Sequence, residues 1–246
     1  MTRIDPLARP IGWSFDFEMV FLFEIAVDEA RRHLPAPLMP IELRPGVGVL
    51  GIGVQSLCAG NLGELPEVRE IYCTIAVQPQ LSVPMPTPRF AVVPVIIAAT
   101  APSFLARARE LDRLNAMPWT PTLDIELDRA GLRARAADDR GPIFELWNVH
   151  EQPSFVDAEM WGQEFVGVDD DPLYFQAWHW RARKAEYQRR GGGRLHPHPF
   201  FAGIDLDAVS PDPYMQFITP PQTDGTLTLF APIPLANIQP RRRVQR

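Results

Sequence analysis

A glutamate and a tyrosine, Glu70 and Tyr72, have the side-chain types and the spacing of an acid–base site. Glu70 leads directly into the apolar, β-rich run 71–77, and residues two apart on a strand point to the same face. An ionised carboxylate buried in such a run is costly unless it is paired or hydrogen-bonded. Glu70 therefore either points outward as an ordinary strand residue or faces a polar cavity. In a cavity, Glu70 would be a general acid or base, and Tyr72 would donate a hydrogen bond to a ligand carbonyl or remain structural.

Glu24 and Arg69 are the other charged residues that such a site would use. Glu24 could form a carboxylate pair with Glu70, in which the pKa of one partner is raised. The alternative is that each glutamate lies at a strand end in water or pairs with an arginine such as Arg69. We count Glu24 and Arg69 among the predicted ligand contacts.

Two histidines near the end of the chain, His196 and His198, share one face of an extended segment that is followed by Asp205. Zinc requires three or four converging ligands, and no further residue completes this set. The sequence also contains no nucleophile elbow, Walker loop, dinucleotide-binding fingerprint or HExxH motif. We therefore predict neither a metal site nor a cofactor.

The charge balance argues against a nucleic-acid partner. The chain carries 30 acidic and 24 basic residues and a net charge of -6, whereas nucleic acid requires a basic surface. Only one of the basic residues is a lysine, Lys184, so a single side chain could form a Schiff base. Lys184 lies among Arg181, Arg183 and Glu186, which indicates a solvated face.

The elements that must position these residues are mostly strands. Alternating or β-branched apolar runs predict strands at 11–23, 41–43, 47–54, 71–77, 91–98, 123–127, 131–137, 143–149, 173–183, 211–217 and 226–230. Short helices are predicted at 29–34 with Asp28 as N-cap, at 104–114 with Ser103 as N-cap, and at 154–161. Residues 181–190 alone have the composition of a polar helix, and the glycines at 191–193 predict a turn.

The chain shows no internal repeat and no break in composition, so residues 1–246 are predicted to form one domain. Many strands, few helices and 27 prolines favour a mainly β (α+β) fold, a β-barrel or curved sheet with a few peripheral helices.

Nothing in the sequence points to secretion or to a membrane. The first ten residues include Arg3 and Asp5 and lack the apolar core of a secretory signal. The most apolar segment, 90–101, is shorter than the about 20 residues that cross a bilayer. The two cysteines, Cys58 and Cys73, are predicted to be buried free thiols. We expect a cytoplasmic protein.

Five segments, in this order, resemble the acetoacetate decarboxylase-like superfamily. They are a strand and short helix ending in Leu-Pro-Ala-Pro-Leu (21–38), a glycine-rich strand (47–54), the Pro-Glu-Val-Arg-Glu approach to a strand (66–70), an Ala-Arg-Glu-Leu helix segment (108–111), and Gly-Arg-Leu followed by His-Pro-His-Pro-Phe (193–200). The resemblance covers residues 21–217 and implies a closed β-barrel with an internal apolar cavity, in a homo-oligomer.

The resemblance also implies a cavity lysine that forms a Schiff base with a β-keto acid, beside a second lysine that lowers its pKa. The matching stretch, 111–122, contains no lysine, because the family's Pro-Lys step corresponds to Pro118-Trp119 or, without a gap, to Asn115-Ala116. Trp119 would then fill or floor the pocket, or else pack in the core. Glu24 stands where the family has a substrate-binding arginine, and it would repel a keto acid's carboxylate.

We therefore predict an acetoacetate decarboxylase-like enzyme that works without an imine. It would bind an apolar, oxygenated small molecule, such as a keto or polyketide-like compound, and catalyse cyclisation, dehydration or isomerisation. Glu70 and Tyr72 would be catalytic, and Glu24, Trp119 and Arg69 would contact the ligand. The alternatives are a non-catalytic binding or carrier protein on the same barrel, and a structural homologue whose barrel is filled by side chains.

Overall fold

A computed structural model describes residues 11–36, 38–58, 67–78, 90–110, 114–149, 155–166, 174–188, 190–219 and 223–229. The described chain is mainly β, as predicted, with two short helices, α1 (Val27–Arg32) and α2 (Pro102–Glu110). Its strands are β1 (Ile11–Ala26), β2 (Val47–Leu57), β3 (Val68–Val77), β4 (Phe90–Ala99), β5 (Asp124–Asp128), β6 (Arg133–Asp138), β7 (Gly141–Asn148), β8 (Val156–Val166), β9 (Tyr174–Gln188), β10 (Gly191–Leu195), β11 (Met215–Thr219) and β12 (Thr223–Leu229).

Eight of these strands form one large sheet. β1 pairs with β2 along one edge and with β12 and β11 along the other. From β2 the antiparallel pairing continues through β3 to β4, β4 is parallel to β8, and β8 is antiparallel to β9. β9 in turn pairs with β12 and β11, so the succession of pairings leads from β1 back to β1.

The other four strands form a second sheet in the order β10-β7-β6-β5. One face of the large sheet packs against it. On β1 this face carries Phe17, Met19, Phe21, Phe23 and Ile25, all fully or almost fully buried. These side chains belong to the same core cluster as residues of the second sheet and of the segment after β10, among them Ile125, Phe144, Phe200 and Phe201. The main core therefore lies between the two sheets.

The opposite face of the large sheet, which carries Glu18, Gln55 and Glu70, is called the site face below. Several of its apolar side chains are partly exposed, including Val20 and Leu22 of β1, Ala76 of β3 and Val92 of β4. Their immediate neighbours on the core face, such as Met19, Phe21 and Ile75, are fully buried. The site face is thus partly exposed at these positions, whereas Leu57, Val68 and Ile97 of the same face are buried in a second cluster with α2.

The strands predicted at 11–23, 47–54, 71–77 and 91–98 are confirmed, although each is longer than predicted. The hairpin across residues 128–130 is also confirmed as β5 and β6. The predicted strand at 41–43 is wrong, since this segment makes only isolated bridges on either side, at Pro40 and Arg44.

Two of the predicted helices and both predicted N-caps are wrong. The helix predicted at 154–161 is wrong because residues 156–161 belong to β8, and the polar helix at 181–190 is wrong because β9 extends to Gln188. Pairing with neighbours on both edges outweighs the local polar composition. Neither predicted N-cap is correct. Ala26 occupies the N-cap of α1, with Asp28 in its first turn, and Ser103 lies inside α2.

The turn predicted at 191–193 is a further correction, because these glycines form β10 and pair with β7. A Cβ atom at Gly192 would lie 2.4 Å from Cζ2 of Trp147, so the glycine allows the indole to lie against the strand. No helix of the described residues is long and apolar enough to cross a membrane.

Candidate functional site

The centre of the site face is a carboxylate that receives two hydrogen bonds. The hydroxyl of Tyr72 donates to Oε1 of Glu18 over 2.9 Å, and the hydroxyl of Thr219 donates to Oε2 over 2.8 Å. Glu18 is only 5% exposed and Thr219 only 2%. Three strands, β1, β3 and β11, therefore hold this group together, and both oxygens of the carboxyl have a fixed donor.

A glycine on β2 makes the contact between Tyr72 and Glu18 possible. β2 lies between β1 and β3, and Gly53 stands opposite both Val20 of β1 and Tyr72 of β3. A Cβ atom at Gly53 would lie 1.9 Å from Cζ of Tyr72, so the phenol ring occupies the space that a side chain would take. The ring crosses β2 over this glycine and reaches the carboxyl on the far strand.

A second carboxylate, Glu70, lies beside this group. Glu70 is two residues from Tyr72 on β3, is 5% exposed, and its Oε2 accepts a hydrogen bond of 2.5 Å from Nε2 of Gln55. Gln55 is the cross-strand partner of both Glu18 and Glu70. The site face therefore holds two buried carboxyl groups, one on each side of Gln55, with the phenol between their strands.

The electrostatics of the site keep Tyr72 in its neutral form. Burial raises the pKa of Tyr72 well above its usual value, and the charge of Glu18 and its hydrogen bond raise it further. The charges of Glu70 and of Glu164, on β8, act in the same direction. Tyr72 is therefore a protonated phenol throughout the physiological pH range, and three carboxylates lie near enough to influence it.

The backbone register places Lys184 on the site face. On β9, Glu186 is opposite Phe217 and Ala185 is opposite Ile218. Phe217 is also opposite Val20 of β1, which lies two residues from Glu18 and therefore on the same face. Residues of β9 with even numbers, including Lys184, thus share the face of Glu18, whereas Arg181 and Arg183 belong to the other face. This placement concerns the backbone, since the Lys184 side chain lies outside the described part of the structure.

The three predicted ligand contacts lie elsewhere. Glu24 shares the face of Glu18 but is six residues farther along β1, roughly 20 Å away at 3.3 Å per residue, and its Oε2 accepts from Arg44 over 2.8 Å. Arg69 points away from Glu70 and donates from Nη1 to the carbonyl of Ile125 over 2.7 Å. Trp119 is 44% exposed, so it does not floor a buried pocket, and its Nε1 donates to the carbonyl of Thr100 over 3.3 Å. The structure does not bring these residues to Glu18, Glu70 and Tyr72.

The histidine segment has a structural arrangement. Nδ1 of His198 accepts the N–H of Phe200 over 3.1 Å, and its Nε2 donates to Oδ1 of Asp138 over 3.0 Å. Asp205 caps a short turn by accepting from the N–H of Asp207. Among the described residues, no group of three or more His, Cys, Asp or Glu side chains is arranged to hold a metal ion.

Sequence reasoning missed Glu18, Gln55 and Thr219. The glycine pattern of β2 carried a partial signal, because Gly51 and Gly53 lie on one face of a strand next to the strand of Tyr72. Glycines at alternate positions of a strand often mark a close approach by a neighbouring group. Nothing local could have found Thr219, which is 201 residues from Glu18 in the sequence.

No protein-family model matches this chain, and no curated protein is significantly similar to it in sequence. Solved structures, in contrast, match it over almost the whole chain. Acetoacetate decarboxylase from Legionella pneumophila is 13% identical, with 95% of this chain and 90% of that chain covered and a TM-score of 0.61. The enduracididine biosynthesis enzyme MppR complexed with pyruvate is 12% identical, with 95% and 93% covered and a TM-score of 0.56.

An acetoacetate decarboxylase-like enzyme from Sphingomonas wittichii RW1 is 11% identical, with 92% of each chain covered and a TM-score of 0.53. These likenesses agree with the family resemblance drawn from the five sequence segments. The chain therefore has the acetoacetate decarboxylase-like fold.

Proposed function

We propose that this protein is an acid–base enzyme on the acetoacetate decarboxylase-like fold. It binds an apolar, oxygenated small molecule, a keto or polyketide-like compound, and catalyses cyclisation, dehydration or isomerisation without forming an imine. One observation carries the proposal: a buried carboxyl, Glu70, and a neutral phenol, Tyr72, are held two residues apart on one face of β3. A base and a hydrogen-bond donor at this spacing can act on two atoms of one ligand.

The ligand lies in a cavity that the large sheet encloses as a closed barrel. Two observations support this part of the proposal. The strand pairings lead from β1 back to β1. Residues of a strand alternate between its two faces, and paired residues share a face. Followed around the pairings in either direction, this alternation places Glu18, Glu70 and Glu164 on the same face. The partial exposure of Val20, Leu22 and Val92 on that face supports an interior that side chains do not fill at these positions.

In the reaction, Glu70 removes a proton from the carbon beside the ligand carbonyl, and Tyr72 donates a hydrogen bond to the carbonyl oxygen, where negative charge develops. A raised pKa suits Tyr72 for this role, because the phenol remains protonated at working pH. Glu24, Trp119 and Arg69 stay outside this centre, since each is bonded to a partner elsewhere. They would contact only a ligand that extends beyond the centre.

The fold neighbours support the ligand class. The enzyme MppR has been observed in complex with pyruvate, a small keto compound. We extend this class to the present chain, with one difference. The carboxylates on its site face repel a negatively charged ligand, so a neutral keto compound is favoured over a keto acid. We also propose, from the resemblance, a cytoplasmic homo-oligomer without a cofactor.

A non-catalytic carrier is the competing hypothesis. It is favoured by the observation that both chemical groups already have a partner within the protein, since Tyr72 donates to Glu18 and Glu70 accepts from Gln55. A carrier would bind the ligand in the same cavity and release it unchanged.

The test combines ligand binding with turnover. Native mass spectrometry of the purified protein with a panel of neutral and acidic keto compounds identifies a ligand, and product analysis then follows its conversion. Glu70→Gln should still bind the ligand and lose at least about 100-fold in turnover, while Glu110→Gln, an exposed glutamate at the end of α2, should behave as wild type. Binding without conversion by the wild-type protein would establish the carrier instead.

A further inference from the structure

The hydrogen bond between Tyr72 and Glu18 limits what Tyr72 can offer to a ligand. A phenol has one proton, and in the structure this proton is donated to Oε1 of Glu18 over 2.9 Å. As long as this bond is kept, Tyr72 can only accept a hydrogen bond from a ligand. A donor role for Tyr72, on which the proposed function depends, therefore requires a change in the hydrogen bond with Glu18.

Protonation of Glu18 supplies that change. A carboxylic acid at Glu18 would donate to Oη of Tyr72, and the phenol proton would then be available to a ligand oxygen. In this arrangement Oε1, the oxygen that contacts Tyr72, carries the proton, and the hydroxyl of Thr219 continues to donate to Oε2 over 2.8 Å.

We infer that Glu18 and Tyr72 form a proton relay that serves the ligand oxygen, an inference that rests on the proposed function. Glu18 passes a proton from Oε1 to Oη of Tyr72 while Tyr72 passes its own proton to the carbonyl oxygen. At the same time Glu70 takes a proton from the neighbouring carbon, so an enol forms, Glu18 becomes a carboxylate and Glu70 becomes an acid.

The return step balances the protons. When the enol reverts to a carbonyl, its hydroxyl proton returns through Tyr72 to Glu18, and Glu70 delivers its proton to a carbon of the ligand. Delivery to a different carbon, or to a leaving hydroxyl group, gives isomerisation or dehydration. No external oxidant, reductant or cofactor is required for this sequence.

The relay depends on alignment, and the site face provides it. The Tyr72 ring lies over Gly53, in the space that a side chain on β2 would occupy. Two other carboxylates, Glu70 and Glu164, act on Tyr72 by their charges. Their charges adjust the pH at which the relay operates, whereas the path of the proton follows the hydrogen bond between Tyr72 and Glu18.

The first test needs no ligand. Infrared difference spectra of wild-type protein against Glu18→Gln, recorded across the neutral pH range, should contain a carboxylic-acid C=O band that the variant lacks. In Thr219→Val this band should shift, because one hydrogen bond to the carboxyl is removed. If Glu18 shows no protonated form at any pH at which the protein is active or binds ligand, the relay is refuted whatever the reaction is.

The second test uses the turned-over ligand. In mixtures of light and heavy water, the wild-type rate should depend on deuterium fraction as expected for two protons in flight, and Glu18→Gln should show a linear dependence with a rate about 100-fold lower. Glu110→Gln is the matched control. A wild-type rate that is linear in deuterium fraction contradicts the relay while leaving acid–base catalysis by Glu70 intact. Loss of the proposed function would appear separately, as unchanged turnover in Glu70→Gln.

Discussion

The hydroxyl of Tyr72 on β3 donates a hydrogen bond of 2.9 Å to Glu18 on β1, although β2 lies between these strands. The contact exists because the intervening residue, Gly53, has no side chain. It joins two groups that are 54 residues apart in the sequence and makes the phenol part of a carboxylate cluster.

Gly53→Ala should break the contact. The new Cβ would lie 1.9 Å from Cζ of Tyr72, so the ring must leave its position over β2. We expect a loss of about 1–3 kcal/mol in the free energy of unfolding, the usual range for overpacking, and a lower pKa for the Tyr72 phenol. Denaturant unfolding and ultraviolet titration of the phenol measure the two effects. Gly12→Ala is the control, because no atom lies within 4 Å of its added Cβ, and equal effects in both variants would contradict the prediction.

Tyr72→Phe should alter the stability of the protein in alkali. Because the pKa of Tyr72 is raised in the folded state, its contribution is complete below about pH 10, the pKa of a free tyrosine, and is lost as pH rises above it. Burial also raises the pKa values of Cys73 and Tyr214 to about 12, so their contributions to the stability of the protein are lost over a similar range of pH. The free energy of unfolding of wild type should therefore fall above pH 10, and more steeply than that of Tyr72→Phe. The free energy of unfolding is measured by urea denaturation at a series of pH values. Equal slopes against pH in the two proteins would show that the pKa of Tyr72 is not raised.

Asp138→Asn should destabilise the protein near neutral pH. Burial alone would raise the pKa of Asp138, but hydrogen bonds from Arg140 and from His198 outweigh it and lower the pKa to about 2. Since the folded-state pKa is depressed, the stabilisation is present above about pH 4 and lost as pH falls toward 2. The shift corresponds to at most about 2 kcal/mol. Urea unfolding at pH 7 and pH 3 should show a smaller difference in the variant, and Asp139→Asn, an exposed neighbour, should match wild type.

Borohydride reduction in the presence of keto compounds should leave no covalent adduct on Lys184. The proposed reaction uses Glu70 and Tyr72 and forms no imine, even though the backbone register places Lys184 on the site face. Intact-protein mass spectrometry after reduction measures the adduct, and Lys184→Arg serves as a control for reaction at other amines. An adduct found in wild type and absent from the variant would replace acid–base catalysis by imine chemistry.

Gln55→Leu should change the environment of Glu70 more than that of Tyr72. The side-chain amide of Gln55 donates to Glu70 over 2.5 Å, and without it the ionised carboxylate loses a donor in a buried position. We expect the turnover profile to shift toward higher pH, because the deprotonated form of Glu70 becomes less stable. The pH dependence of kcat measures this shift. Gln55→Glu is not a suitable substitute, since it adds a charge. If the pH dependence of kcat is the same in Gln55→Leu as in wild type, Glu70 is not the catalytic base.

The amino-acid pattern alone predicted most strands of the first half of the chain and the shared face of Glu70 and Tyr72. Runs such as 47–54 and 71–77 are apolar and β-branched enough to predict a strand without further information, and a two-residue spacing on a strand fixes a shared face. The order of the five short motifs also predicted the acetoacetate decarboxylase-like fold. Solved structures with this fold match the chain over most of its length.

The groups that surround Glu70 and Tyr72 are set by the fold and could not be read from the sequence. Glu18 and Thr219 reach the site from strands at opposite ends of the chain, and a hydrogen bond between residues 201 positions apart leaves no local pattern. The same reason explains the failures at 154–161, 181–190 and 191–193, where polar or glycine-rich segments become strands because neighbours pair with them. Local composition sets the preferences of a segment, whereas the partners that satisfy its backbone and its buried charges come from the fold as a whole.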